Sequence, residues 1–269
     1  MSRLLLALLL ALAPLAGASG FDEVHAARVA GTITVDERGV VTEVAIDRSK
    51  LGDEVMSGLE DQVRGWRFEP VLDQGQPTQA RLRLSADLLA FRQRGTEGLA
   101  LAVSRARFSL QPAATEARPL AQPAYPPDAA SQGIGADVTL MVRVGEGGKA
   151  EDAAVASLML MGERAGAPAS RERHAARFAR SATEVAGRWQ YPWAKAGETI
   201  EVNVRYTPPG FDGRRWVRAF PIGVDAPDWA VQAMSAETPP RASVAGMEVS
   251  SGVRLQTRLG SILPVPSAD

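Results

Sequence analysis

The chain has 269 residues, 45% of them hydrophobic, with 30 Lys and Arg against 31 Asp and Glu for a net charge of −1. A balance so near zero supplies no basic field for nonspecific nucleic-acid binding. The absence of cysteine excludes a disulfide framework, a thiolate metal site and a cysteine nucleophile.

Arg3, the apolar run Leu4 to Leu12, Pro14 and the small residues Ala16-Gly17-Ala18 have the layout of a secretory signal peptide over residues 1–18. The expected cut falls between Ala18 and Ser19. The run is shorter than the roughly 20 residues a spanning helix needs, and no later stretch is apolar for long enough. The expectation is an exported, periplasmic chain with no membrane span after cleavage, held together by core burial alone.

Val29 to Val35 alternates with period two, placing Val29, Gly31, Ile33 and Val35 on one face. Asp36-Glu37-Arg38-Gly39 is turn material and Val40 to Ile46 resumes the strand pattern, which together read as a β-hairpin. Ser49 and Asp53 are candidate N-caps for an amphipathic helix whose stripe is Val55, Leu59, Val63 and Trp66. Pro70 forces Glu69 out of helical geometry, so the helix ends near Trp66. Asp73 to Pro77 reads as a loop, Gln79 to Leu88 as a third strand, and Leu99 to Leu110 as a further one. Residues 19–110 thus form one expected domain, and 111–123, rich in Pro, Ala and charge, a linker.

The pattern then returns over residues 124–208. Ala124-Tyr125-Pro126-Pro127 leads into a short helix from Asp128 to Gln132. Val138, Leu140, Val142 and Val144 alternate, Glu146-Gly147-Gly148 turns, and Ala150 to Leu158 is the return strand. After a loop from Met159 to Pro168, a helix from Ser170 to Arg188 carries Ala175, Phe178, Ala182, Val185, Ala186 and Trp189 in phase. Ile200, Val202, Val204 and Tyr206 mark the last strand of this unit. Trp66-Arg67-Phe68-Glu69-Pro70 and Trp189-Gln190-Tyr191-Pro192 are therefore two versions of one joint, each tryptophan plugging helix to sheet. Residues 209–269 form a partly ordered tail, with a helix expected over Asp228 to Ala236 and a strand over Gly252 to Leu259.

Tyr125-Pro126, Ala129-Ala130, Gly133, the Val138-to-Val144 strand, the Gly147-Gly148 turn, the helix and Trp189-Gln190-Tyr191-Pro192 together resemble the C-terminal domain of the TonB energy-transducer family. Residues 28–90 look like a second, diverged copy, with the Gly39 turn and Trp66-Arg67-Phe68-Glu69-Pro70 but no Tyr-Pro segment. The resemblance implies an α+β fold: two small domains, each an antiparallel three-stranded sheet backed by helices. It also implies a periplasmic setting and a sheet edge that takes a short extended peptide of an outer-membrane receptor as an added strand. A cleavable leader and the lack of a long Pro/Lys/Glu spacer leave strand addition, rather than energy transduction, as the expected activity.

The expected acceptor is the last strand of the second unit, with Thr199, Glu201, Asn203 and Arg205 as its edge residues. An open edge invites aggregation, so a partner, a dimer mate or the C-terminal tail has to cover it. The alternative is an envelope scaffold that meets peptidoglycan or another anionic partner through Arg171, Arg173, Arg177 and Arg180 on one helix. Enzyme signals are missing: His25 reads as a loose N-terminal residue, His174 as a solvated helix residue, and no phosphate loop or nucleophile elbow appears. No cofactor, metal or catalytic residue is expected, and a deep polar pocket with converging acids is what would mark an enzyme.

Overall fold

A computed structural model describes residues 21–47, 50–93, 99–110, 121–166, 168–192, 194–208, 211, 215–235, 241–243, 248–249 and 263–265. The fold is mixed α+β, with a mostly antiparallel sheet and few helices. In chain order the elements are β1 (Phe21–Val35), β2 (Val41–Ile46), α1 (Asp53–Arg64), β3 (Leu72–Asp73), β4 (Gln76–Pro77), β5 (Ala80–Gln93) and β6 (Leu99–Leu110). Then come α2 (Pro127–Ser131), β7 (Gly135–Val144), β8 (Ala150–Met161), α3 (Pro168–Ala186) and β9 (Thr199–Tyr206). The chain continues through β10 (Val217–Ile222), α4 (Asp228–Ser235), β11 (Arg241–Ser243), β12 (Glu248–Val249) and β13 (Leu263–Val265).

One pairing order occurs twice. β1 pairs with β2 as a hairpin and with β5 on its other side; β7 likewise pairs with β8 and with β9. The helix between second and third strand covers one face each time: α1 buries Leu59 and Val63, and α3 buries Ala175, Phe178, Ala182 and Val185. Two cores result. One gathers Val29, Ile33, Leu82, Leu84, Trp66 and Phe68; the other gathers Val138, Leu140, Phe178, Trp189, Val202 and Tyr206.

The same lock closes both copies. The Phe68 N–H donates to the Gly39 carbonyl at 2.8 Å, and the Tyr191 N–H donates to the Gly148 carbonyl at 2.6 Å. Each glycine sits at positive φ, 77° and 74°, and a Cβ there would strike the backbone of Phe68 or Tyr191. So each hairpin turn is pinned to the residue two places past its tryptophan. Trp66 and Trp189 are both buried, the former edge-on to Phe108 and the latter donating from Nε1 to the Ala121 carbonyl at 2.8 Å.

The sequence led to two separate sheets, whereas the structure joins the strands of both copies into one. β10 is the bridge: Val217 and Arg218 pair with Ala26 and His25 of β1, and Ala219 to Ile222 pair with Met161 to Leu158 of β8. Its Pro221 hides the strand from pattern reading, because proline lacks a ladder donor. The proline is accommodated where β10 pairs only with β8. With β10 and β5 as neighbours, β1 begins at Phe21, and His25 is a half-buried strand residue rather than a loose terminal one. β8 likewise runs on to Met161, into the expected loop. The expected loop at 73–77 is a small hairpin, with Gln74 and Gly75 both at positive φ as a primed turn requires.

The N-cap of α1 is Gly52, which makes no side-chain cap bond; Asp53 is the first helical residue, where its charge favours the positive end of the helix dipole. Ser49 and the expected strand at 252–259 lie outside the described residues.

Gly39→Ala and Gly148→Ala should each lower the unfolding free energy by at least about 2 kcal/mol, since strained φ adds to a backbone clash. Gly75→Ala, at φ 82° with open space around it, should cost only about 1 kcal/mol. Urea titrations of the three variants check the difference. Trp66→Ala should cost roughly 3–5 kcal/mol by the same measurement.

Candidate functional site

β9 is the strand to which the expected binding residues belong, and its alternation sends them all to one face. Ile200, Val202, Val204 and Tyr206 turn toward α3 and are buried. Thr199, Glu201, Asn203 and Arg205 turn the other way, onto a face that is partly to fully withdrawn from solvent. It meets the equivalent face of β5 and β6 across a network of charges.

Asp137 of β7 and Asp87 of β5 are the two anchors, 7% and 3% exposed. Asp137 accepts from Asn203 Nδ2, from Arg205 through Nη2 and through Nε at 3.2 Å, and from Arg105 Nη1 at 3.2 Å. Asp87 accepts from Arg28 Nε at 2.7 Å and Arg107 Nη2 at 2.9 Å, with Arg205 Nη1 at 2.8 Å. Arg105 also donates to Thr139 Oγ1 at 2.7 Å, and its Nε lies 3.7 Å from Glu201. Arg205 thus clasps one aspartate from each copy of the fold.

Burial alone would raise both carboxyls, but the guanidinium charges, Arg205 foremost, outweigh it and hold Asp87 and Asp137 below the ordinary range. Burial would lower Arg105 and Arg205; the facing carboxylates, led by Asp137, raise them instead. For Arg107 burial wins, bringing it down to about 10, so it stays charged at neutral pH.

The strand order makes these contacts informative. From β6 to β7 the path runs through β5, β1, β10 and β8. In a flat sheet that path would separate the two strands by roughly 24 Å. Arg105 of β6 nevertheless reaches Asp137 and Thr139 of β7. The sheet therefore curls until the inner faces of its two flanks meet. Below the network, Met141, Ala156 and Ala230 pack together and α4 closes the same face, with Arg143 over the Trp229 ring at 4.5 Å.

With both faces of β9 covered, only its outer edge is left. That edge carries β11 in parallel register, Arg241 opposite Glu201, Ala242 opposite Val202 and Ser243 opposite Asn203. Of the three covers expected, the tail supplies this strand. Glu201 keeps 16% side-chain exposure, whereas the side chains of Asn203 and Arg205 are sequestered in the network.

Of the arginines of α3, Arg173, Arg177 and Arg180 are exposed at helical spacing, whereas Arg171 is half-buried. The Arg171 guanidinium stacks on Phe220 at 4.9 Å, and Arg177 pairs with Asp128 at 2.5 Å. His174, expected in solvent, is 1% exposed, with Nδ1 3.5 Å from Asp128. It precedes Phe178 by one helical turn and so lies on the stripe that faces the core.

A cavity of about 320 Å³ opens beside Gln132, Arg164, Phe211, Arg215 and Trp216, and among the described residues Glu163 is the one carboxylate that lines it. A single acid makes no general acid–base pair. Among the described residues no cluster of His, Cys, Asp and Glu is arranged to hold a metal, and no helix is long and apolar enough to cross a membrane. No family model, curated protein or solved structure matches the chain.

Sequence reasoning missed Arg28, Asp87, Arg105, Arg107 and Asp137. All sit on the polar phase of alternating strands, which reads the same whether that face meets water or another charged face. The available signal was the mixture of signs on it.

Asp137→Asn should destabilise the fold by about 3–5 kcal/mol, because it leaves buried guanidinium groups without their counter-charge. Both aspartates titrate lower in the folded chain than their ordinary value of about 3.9. Their contribution is therefore complete above that value and drains away as pH falls through the folded values. Urea midpoints should be level near neutrality and drop below about pH 4, less steeply in Asp137→Asn than in the parent.

Proposed function

We infer that the protein is a non-enzymatic binding module of the cell envelope, which takes an extended peptide of a partner protein as a strand added to the outer edge of β9. The observation that carries this reading is β11: three residues already lie on that edge as an added strand. Strand addition draws affinity from main-chain bonds and specificity from alternate side chains. β9 offers a fixed ladder for both, since α3 holds one of its faces and the charge network the other.

The paired units of sheet and helix, locked through Gly39 and Gly148, support a tandem TonB-C-terminal-like organisation of residues 19–110 and 124–208. The leader-like residues 1–18 support a periplasmic location. The arginine face of α3 carries the scaffold alternative less well, because Arg171 and Arg177 are engaged within the fold.

Selection of random heptapeptides on the immobilised chain should enrich sequences that alternate in character. Bound peptide should slow amide exchange in residues 199–206 by tenfold or more. Protection that appears at another element, or an empty selection, would sink the reading.

A further inference from the structure

β9 is not the only edge with a piece of the C-terminal segment on it. The strand path ends at β12 and β13, and both come from beyond α4. Without these two and β11 its ends would be β9 and β6. At one end β11 runs parallel to β9 and is backed by β12; at the other β13 runs antiparallel to β6, with Leu263 opposite Leu101 and Val265 opposite Leu99. One C-terminal segment thus occupies both terminal edges, which otherwise present unpaired donors and acceptors.

We propose that this segment is an intramolecular cap, and that β11 competes with an incoming strand for the edge of β9. The competitive part rests on the strand-addition reading above; the capping itself does not.

The geometry makes the β9 cap displaceable. It pairs only Glu201, Val202 and Asn203 of a strand that runs from Thr199 to Tyr206. Positions on both sides remain as footholds for a longer peptide. The pairing is parallel, the weaker arrangement per residue, so an antiparallel peptide gains on it. What favours the cap is tethering: only residues 236–240 separate it from α4 in the chain, and a segment joined through so few residues is held at an effective concentration in the millimolar range. The cap thereby excludes weak or adventitious strands and yields to one that pairs along the full edge. At β6, Pro264 lies in the capping strand itself, where its missing N–H discourages further addition.

The test uses the full chain, whose lack of native cysteine allows a single designed bond. Glu201→Cys with Arg241→Cys places thiols at paired positions of neighbouring strands, whose spacing of about 4.8 Å suits a disulfide. Oxidation locks the cap and reduction frees it, within one polypeptide. Ala242→Pro removes a ladder donor and releases β11 in a second, independent way. The probe is a synthetic peptide copying residues 239–245.

Ala242→Pro should show tenfold faster exchange across residues 201–203 than the parent, and the copied peptide should restore protection. That peptide should bind Ala242→Pro at least tenfold more tightly than the parent, and the oxidised double variant not at all. Equal exchange at β9 in parent and Ala242→Pro, or equal peptide binding by the oxidised and reduced double variant, overturns the cap. Faster exchange reversed by the copied peptide, alongside an empty random-peptide selection, upholds the cap and removes the foreign partner instead.

Discussion

Arg205 stands between two aspartates that belong to opposite flanks of the sheet, and the rest of the architecture depends on that arrangement. Its guanidinium meets Asp137 on the neighbouring strand and Asp87 on a strand far along the path. Buried ion pairs seldom add much net stability, because desolvation consumes most of the Coulomb gain. They do select one docking over others. Any different approach of the two flanks would break the contacts that cross between them, Arg205 with Asp87 and Arg105 with Asp137, Thr139 and Glu201, and strip Arg105 of most of its counter-charge, at a cost of several kcal/mol. The curl of the sheet is thus specified by charge, while each flank is built by apolar burial against its own helix.

That division of labour shapes β9. Its apolar face belongs to the α3 core and its polar face to the network, so neither is free to read a ligand. What remains is the backbone edge, whose main-chain donors and acceptors β11 meets. A strand so immobilised loses little entropy when another strand joins it, and pre-organisation of this kind lowers the cost of binding. The tail exploits the same property from within the chain.

Much of the fold was legible in the sequence. Period-two runs located β2, β5 to β9 and most of β1, and the stripes Leu59-Val63-Trp66 and Ala175-Phe178-Ala182 located α1 and α3. The repeat of turn glycine, helix and tryptophan was legible too, although the interval from Gly148 to Trp189 is longer than that from Gly39 to Trp66. Loop length varies freely while the lock stays in place. β10 was not legible, since Pro221 argues against a strand unless its one-sided pairing is known. His174 was misplaced for a related reason: a histidine among arginines looks solvated until Asp128 is seen lying over it. Of the candidate site, β9 and its phase were readable; the use of its polar face was not.

By itself the sequence determined the pieces: which segments extend or coil, which face of each is apolar, where Gly39 and Gly148 permit the turn, and that turn glycine, helix and tryptophan recur in that order. These follow from interactions within a few residues, which periodicity and backbone sterics encode directly. Only the tertiary structure decided that the two sheets become one, that the charged faces of β5 and β6 meet those of β7 and β9 rather than water, and that β11 and β13 take the edges of β9 and β6. Those outcomes pair groups distant in the chain, such as Arg28 with Asp87 or Arg105 with Asp137. A charged strand face carries no local mark of the partner it will find.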